Sequence, residues 1–178
     1  MALKRLIIDG YGQIELNQCA WPRDGRIEAQ CALDAEDFAS VPAENGMLLA
    51  VDNINRVVKF ATDASLPILV NYSSEHIYDE RTPGLKNFKL ELGDALPRLG
   101  YLSVGDKFTT NCIAYDSSEF TTEDKLEEAL DKINTSKLYG TYCANGAIKL
   151  TATKPSDGPV LIVIKKTTMP DGQLGVKL

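Results

Sequence analysis

Apolar residues in this chain come in short runs that Pro, Gly, Asp and Asn residues interrupt, and this pattern limits the fold more than any other feature. The runs at 46–51, 56–60 and 68–72 are too short for ordinary helices, and branched residues recur in them. Two more segments, 13–17 and 26–31, alternate apolar with polar residues, as strands with one buried face do. The sequence therefore predicts a mainly β fold, an antiparallel sandwich or barrel.

One segment has the period of an amphipathic helix. Its apolar positions form a single stripe: Leu126, Ala129, Leu130 and Ile133. Thr121 and Thr122 are both candidate N-caps and acidic residues follow them, so the pattern predicts a helix at about 122–135. Residues 34–40 also begin with an N-capping aspartate, but Pro42 limits them to a short helical turn.

The chain has no composition shift that marks a linker between domains. Its 178 residues fit one ordinary domain, and 44% hydrophobic residues supply enough apolar surface for a core. We expect a single β-rich unit over 1–178, with a possible weak subdivision into 1–95 and 96–178. Asn145-Gly146 between two strand-like segments predicts a tight hairpin.

Charge and hydropathy exclude several classes of partner. With 25 acidic and 19 basic residues the net charge is -6, so the average field repels phosphate backbones and anionic lipids. We expect no nucleic-acid partner. No signal-peptide pattern and no membrane-length apolar run is present, so we also expect no membrane partner and synthesis in a cytoplasm.

Four cysteines are widely spaced along the chain. Cys19, Cys31, Cys112 and Cys143 form no close pair and have no histidine beside them, unlike the ligands of a zinc site. Free cysteine is among the most buried residue types, which favours four small core residues. We expect no cofactor, and whether the cysteines pair stays open.

The strongest candidate for chemistry is the segment 73–84, which holds the one histidine. His76 lies near Asp79 and Glu80, an inventory that suits metal binding or acid–base catalysis. No second histidine completes a zinc shell, and no nucleophile motif flanks His76. The pattern favours an exposed charged loop and a protein that is not an enzyme.

Two regions are candidates for partner contacts because they combine turn or loop signals with aromatic and charged residues. The segment Trp21–Gly25 has the composition of a turn between the predicted strands 13–17 and 26–31. The sequence therefore predicts that these two strands form a hairpin with a wide loop. Trp21 itself is either a core anchor or a partner contact. The candidate partner-binding residues are Trp21, Arg23, His76, Tyr78, Asp79 and Arg81.

Four segments share a characteristic composition and order of residues: Ile68–Asp79, Pro83–Phe88, Tyr101–Asn111 and Met169–Lys177. In these segments the chain resembles virion structural proteins of tailed bacteriophages that infect Gram-positive bacteria. Among such proteins the resemblance is strongest to the small accessory proteins that decorate or cement a capsid. It implies a non-enzymatic protein on the capsid surface that binds assembled major capsid protein and self-associates at most as a small oligomer.

Two alternatives remain beside a capsid decoration protein. The first is a structural subunit of the phage tail or of the head-to-tail connector, where β-barrel subunits stack as rings. The second is a small metal-dependent enzyme or a carbohydrate-binding module that uses the His76 loop.

Overall fold

The computed structural model describes residues 2–73 and 85–178, and the fold is mainly β, with 33% strand and 10% helix, as the sequence predicts. The strands in chain order are β1 (Leu3–Arg5), β2 (Ile14–Gln18), β3 (Ile27–Glu28), β4 (Ala32–Leu33), β5 (Leu48–Asp52), β6 (Val57–Phe60), β7 (Ile68–Asn71), β8 (Leu99–Gly100), β9 (Lys107–Thr110), β10 (Ile113–Asp116), β11 (Tyr139–Thr141), β12 (Ile148–Thr151), β13 (Leu161–Ile162), β14 (Lys165–Thr168) and β15 (Leu174–Lys177). The described helices are α1 (Ala20–Asp24), α2 (Glu123–Asp131) and a 3-10 turn at Leu85–Asn87.

The strands form three sheets. A five-stranded sheet has the order β1-β10-β12-β11-β13, a four-stranded sheet β14-β15-β9-β2, and a six-stranded sheet β3-β8-β7-β5-β6-β4. Among the described pairings, β10 with β12 and β4 with β6 are parallel and the others are antiparallel. Each sheet combines strands from both sides of residue 95, and a subdivision at that point stays a prediction.

Two apolar clusters form the core, and single strands contribute to both by alternation of their side chains. In β10, Ile113 and Tyr115 belong to the first cluster, whereas Ala114 between them belongs to the second. In β5, Leu48 faces the first cluster and Leu49 the second. Because successive strand residues point to opposite faces, these central strands are buried on both sides.

The two predicted helical segments are confirmed. The amide of Lys125 donates to Thr122 Oγ1 at 3.4 Å, so Thr122, one of the two candidate N-caps, is the residue that caps α2. The helix ends earlier than position 135, and its apolar stripe buries Leu126 and Leu130. In the short segment at 34–40, one helical hydrogen bond joins the amide of Phe38 to the carbonyl of Asp34 at 3.1 Å.

Of the two hairpins that the sequence predicts, the structure contains one. Strands β11 and β12 pair antiparallel across Asn145-Gly146, so the predicted hairpin is confirmed. The hairpin expected from strands 13–17 and 26–31 is wrong, because β2 pairs with β9 and β3 pairs with β8 in a different sheet. The predicted turn at Trp21–Gly25 is instead the short helix α1, which Gly25 ends in the left-handed conformation with φ 69°.

A group of polar side chains is buried between the sheets. Arg5 donates to both carboxylate oxygens of Glu44, at 2.6 and 2.8 Å. Glu44 is 4% exposed, and it also accepts a hydrogen bond from the amide of Gly12 at 2.6 Å. The side-chain amide of Asn71 donates to the carbonyl of Glu44 at 2.8 Å. A buried charge with this many partners fixes how the surrounding segments meet.

Candidate functional site

The predicted partner-binding residues fall into two groups. His76, Tyr78, Asp79 and Arg81 lie outside the described residues, as does the rest of the predicted His76 loop from 74 to 84. Trp21 and Arg23 both lie in α1. The structure therefore bears on these two residues alone.

Trp21 is a core anchor. Its side chain is fully buried, and its ring makes edge contacts with Tyr72 and Phe108 at centroid distances of 5.9 and 6.3 Å. The ring also lies against Gly100, where a Cβ atom would overlap the indole. Trp21 thus anchors α1 to the core, and the exposed surface of this region is formed by its neighbours.

Arg23 lies on that surface. Its side chain is 78% exposed, and it donates to both carboxylate oxygens of Asp24, at 2.6 and 3.1 Å. The hydrogen bonds from Arg23 lower the pKa of Asp24. Val104 and Asp106 lie across a shallow depression of about 180 Å³ from Arg23. Val104 is fully exposed, and the Asp106 carboxylate accepts a hydrogen bond from the amide of Ala20 at 2.7 Å. This α1 surface offers an exposed apolar residue beside charges.

A second exposed apolar feature lies at the edge of the five-stranded sheet. Val160, Ile162 and Ile164 are 37%, 56% and 43% exposed, whereas Val163 between them is 6% exposed. We call these three side chains the apolar row. The backbone is held in place here, since the amide of Val163 donates to Leu138 at 3.0 Å and that of Ile164 to Lys177 at 2.8 Å. The row is therefore fixed where the chain passes from β13 to β14.

A groove of about 610 Å³ lies on the outer face of the five-stranded sheet. Side chains of β10, β11 and β12 form its floor, and residues 61–62 and 153–157 form its walls. The polar and charged side chains in it are Asp116, Thr141, Tyr142, Lys149, Thr151, Thr153, Lys154, Ser156 and Asp157. Strand alternation explains the polarity, because Ile148 and Leu150 point into the core and leave Lys149 on the outer face.

Hydrogen bonds inside the groove occupy both of its carboxylates. The Tyr142 hydroxyl donates to Asp157 Oδ2 at 2.9 Å. The amide and the hydroxyl of Ser118 donate to Asp116 Oδ1 at 2.9 and 2.7 Å, which lowers the pKa of Asp116, and the charge of Lys149 lowers it further. Burial raises the pKa of the Tyr142 phenol, and its bond to Asp157 adds to that rise.

The described residues hold no group of three or more His, Cys, Asp or Glu side chains placed to bind a metal ion. Within the same ranges, no helix is long and apolar enough to cross a membrane. None of the four cysteines, which all lie in the described ranges, forms a disulfide; Cys31, Cys112 and Cys143 are buried, and Cys19 is half-buried.

Comparisons with known proteins returned no relative: no protein-family model, no curated protein and no solved structure matches the chain. The candidate surfaces are therefore defined by their geometry. Sequence reasoning missed both the groove and the apolar row. The apolar run in 160–166 indicates a strand, but the sequence does not indicate which of its faces is exposed, since exposure depends on which sheet covers it.

Proposed function

We propose that this chain is a non-catalytic structural protein that binds other proteins, and specifically that it decorates a phage capsid by attaching to the assembled major capsid protein. In this proposal it is made in the host cytoplasm and ends on the outer surface of the virion. It takes no cofactor, binds neither nucleic acid nor membrane, and self-associates at most as a small oligomer.

The apolar row is the observation that carries the proposal. Branched apolar side chains that recur at alternate exposed positions in and beside a short edge strand, here β13, are a liability for a protein that acts alone. On a protein that binds a partner they supply a contact surface, since burying them removes apolar area from water. Their backbone is held by bonds to Leu138 and Lys177, so little conformational freedom would be lost on binding.

The resemblance and the charge agree with this proposal. The segment Tyr101–Asn111, one of those that resemble phage virion proteins, contains the fully exposed Val104 and continues into β9. Val104 and Asp106 of this segment line the α1 surface together with Arg23. A net charge of -6 keeps a protein soluble before assembly, and a repeating lattice supplies avidity from modest single contacts.

The test is a titration of undecorated capsids, assembled from the major capsid protein of the same virus, with the purified protein. Sedimentation of the capsids should carry down the protein to a fixed number of copies per capsid. The variant Ile162→Asp places a charge in the apolar row and should weaken binding by about tenfold or more, because a charge cannot be buried there without a partner.

Ile54→Asp is the matched control. Ile54 is 93% exposed in the turn between β5 and β6, outside the apolar row, so the same substitution there should leave capsid binding unchanged. Thermal midpoints of both variants should stay near that of the parent chain. If the parent chain shows no saturable binding to capsids, the proposal is wrong. If Ile162→Asp binds capsids as tightly as the parent chain, the apolar row has no part in the binding.

A tail or head-to-tail connector subunit is the second candidate, and the same apolar row favours it. An exposed edge that contacts a second copy of the chain instead of a capsid would build rings or tubes. Analytical ultracentrifugation at high protein concentration separates the two. A decoration protein stays a monomer or small oligomer, whereas a ring-forming subunit sediments as a large closed species.

The metal-dependent enzyme or carbohydrate-binding module that uses His76 stays a hypothesis about residues outside the described ranges. Elemental analysis of the purified protein tests its metal form. A stoichiometric metal that is lost in His76→Ala would support it and would count against a purely structural role.

A further inference from the structure

The groove on the outer face of the five-stranded sheet contains one polar group that the fold leaves unsatisfied. Thr141 is 6% exposed, and its hydroxyl has no hydrogen-bond partner among the described residues. Buried hydroxyls nearly always have a partner, so an exception needs a reason. The hydroxyl of Thr151, also in the groove, donates to Glu119 at 3.2 Å and so differs from that of Thr141.

A lysine lies directly beside this hydroxyl. In the pairing of β11 with β12, Thr141 is opposite Lys149, so both side chains are on the same face of the sheet. Residues opposite each other in an antiparallel pair have Cβ atoms about 5 Å apart. Lys149 is half-buried, and neither it nor Lys154 on the groove wall forms an ion pair with a described residue.

The carboxylates of the groove have hydrogen-bond partners within the protein, whereas the side-chain donors of Thr141 and Lys149 have none among the described residues. Asp157 accepts from Tyr142, and Asp116 accepts twice from Ser118, so both carboxylates have protein donors. The donors on Lys149 and Thr141 have no such partner in the described chain. A site with unoccupied cationic and hydroxyl donors is complementary to a ligand that brings acceptors and negative charge.

We propose that this groove is a binding site for a carboxylate-bearing ligand, whose carboxylate accepts hydrogen bonds from the Thr141 hydroxyl and the Lys149 ammonium. The groove volume of about 610 Å³ falls within the range of small-ligand sites. The carboxylate belongs either to a free small acid or to an acidic side chain of a polypeptide. The inference is independent of capsid binding, because neither the apolar row nor the α1 surface lines the groove.

Nuclear magnetic resonance of the full chain tests the site with three probes. Succinate is a free carboxylate, N-acetyl-glutamate N-methylamide presents the same group on a peptide, and succinamide is the neutral analogue of succinate. We expect saturable shifts of the Thr141, Lys149 and Lys154 amide signals with at least one of the two carboxylates, and none with succinamide. Whichever carboxylate binds more tightly identifies the source.

Variants of the two donors separate a real site from a surface effect. Lys149→Gln should raise the Kd about tenfold, since it removes a charged hydrogen-bond donor. Thr141→Val keeps the shape of the side chain and should raise the Kd about fivefold, whereas Thr141→Ser restores a hydroxyl and should restore affinity. Lys137→Gln is the charge-matched control, because Lys137 is exposed and does not line the groove.

The proposal is overturned if neither carboxylate gives a saturable shift, if succinamide binds as well, or if Lys149→Gln binds like Lys137→Gln. If Thr141→Val fails to fold, Lys149→Gln still decides the matter, since Lys149 is half-buried on the outer face. Loss of capsid binding in Ile162→Asp has no bearing on these shifts, so the two proposals fail separately.

Discussion

Arg5 on β1 and Glu44, 39 positions later, form a two-bond ion pair in which each guanidinium nitrogen donates to its own carboxylate oxygen, at 2.6 and 2.8 Å. The Glu44 side chain is only 5% exposed, and that of Arg5 is 29% exposed. Hydrogen bonding to Glu44 raises the pKa of Arg5. The pair joins the edge of the five-stranded sheet to the segment that leads into β5.

Glu44→Ala should lower the free energy of unfolding by about 3 kcal/mol, because it leaves a half-buried guanidinium and the buried amide of Gly12 without their acceptor. Urea unfolding followed by circular dichroism measures the change. Glu128→Ala is the control: Glu128 forms a pair with Lys125 at 2.8 Å on the exposed face of α2, and its loss should barely move the midpoint. Equal midpoints for the two variants would contradict a structural role for the Arg5–Glu44 pair.

Gly100→Ala should destabilise the protein by about 2 kcal/mol, because the added methyl group overlaps the buried ring of Trp21. Combining it with Trp21→Phe tests the contact, since the smaller ring leaves room for the methyl group. The double variant should be more stable than the sum of the two single effects predicts. Simple additivity, measured by urea unfolding, would show that Gly100 and Trp21 do not interact.

The cysteines should differ in the rate at which their thiols react with an alkylating reagent. Burial raises the pKa of Cys112 to about 12 and that of Cys143 to about 11, so at pH 8 almost none of either thiol is the reactive thiolate. Cys19 is half-buried and should react first. Mass spectrometry after a short exposure to iodoacetamide should find Cys19 labelled, and Cys112 and Cys143 only after unfolding. Early labelling of Cys112 would contradict its position in the core.

Asp171 should contribute to acid unfolding. Burial alone would raise its pKa, but hydrogen bonds from Gln13 and Gln173, at 2.8 and 2.6 Å, together lower it. A folded-state pKa below the unfolded value of about 4 gives stability that is present above pH 4 and lost as the pH falls through the folded-state pKa.

The variant Asp171→Asn should therefore be less stable than the parent chain at pH 7, and the difference should shrink as the pH falls below 4. Urea midpoints at several pH values measure this change. Glu36→Gln is the control, because the exposed Glu36 carboxylate makes no hydrogen bond with a described residue. A difference that is constant with pH would show that the Asp171 charge has no part in it.

Sequence reasoning identified elements whose cause is local. The apolar stripe and the Thr122 cap of α2, and the Asn145-Gly146 turn between β11 and β12, depend on residues within a few positions of one another. The pairing of strands that are far apart in the sequence could not be predicted from such local patterns. Strand β2 pairs with β9 about 90 residues later, a contact that depends on the total packing of the core and leaves no local signal.

The candidate sites were hidden for the same reason. The groove combines residues 3, 61–62, 116, 141–144, 149, 151 and 153–157, which only the fold brings together. Trp21 shows the converse case: the sequence left it as either an anchor or a contact, and its complete burial against Tyr72 and Phe108 decides for the anchor.

Electron cryo-microscopy of undecorated capsids of the same virus, mixed with an excess of the purified protein, tests capsid decoration directly. We predict ordered density of this chain at a repeated position on the outer surface, with the apolar row Val160, Ile162 and Ile164 against the major capsid protein. Capsids without added density, under conditions that leave the protein folded, would contradict it.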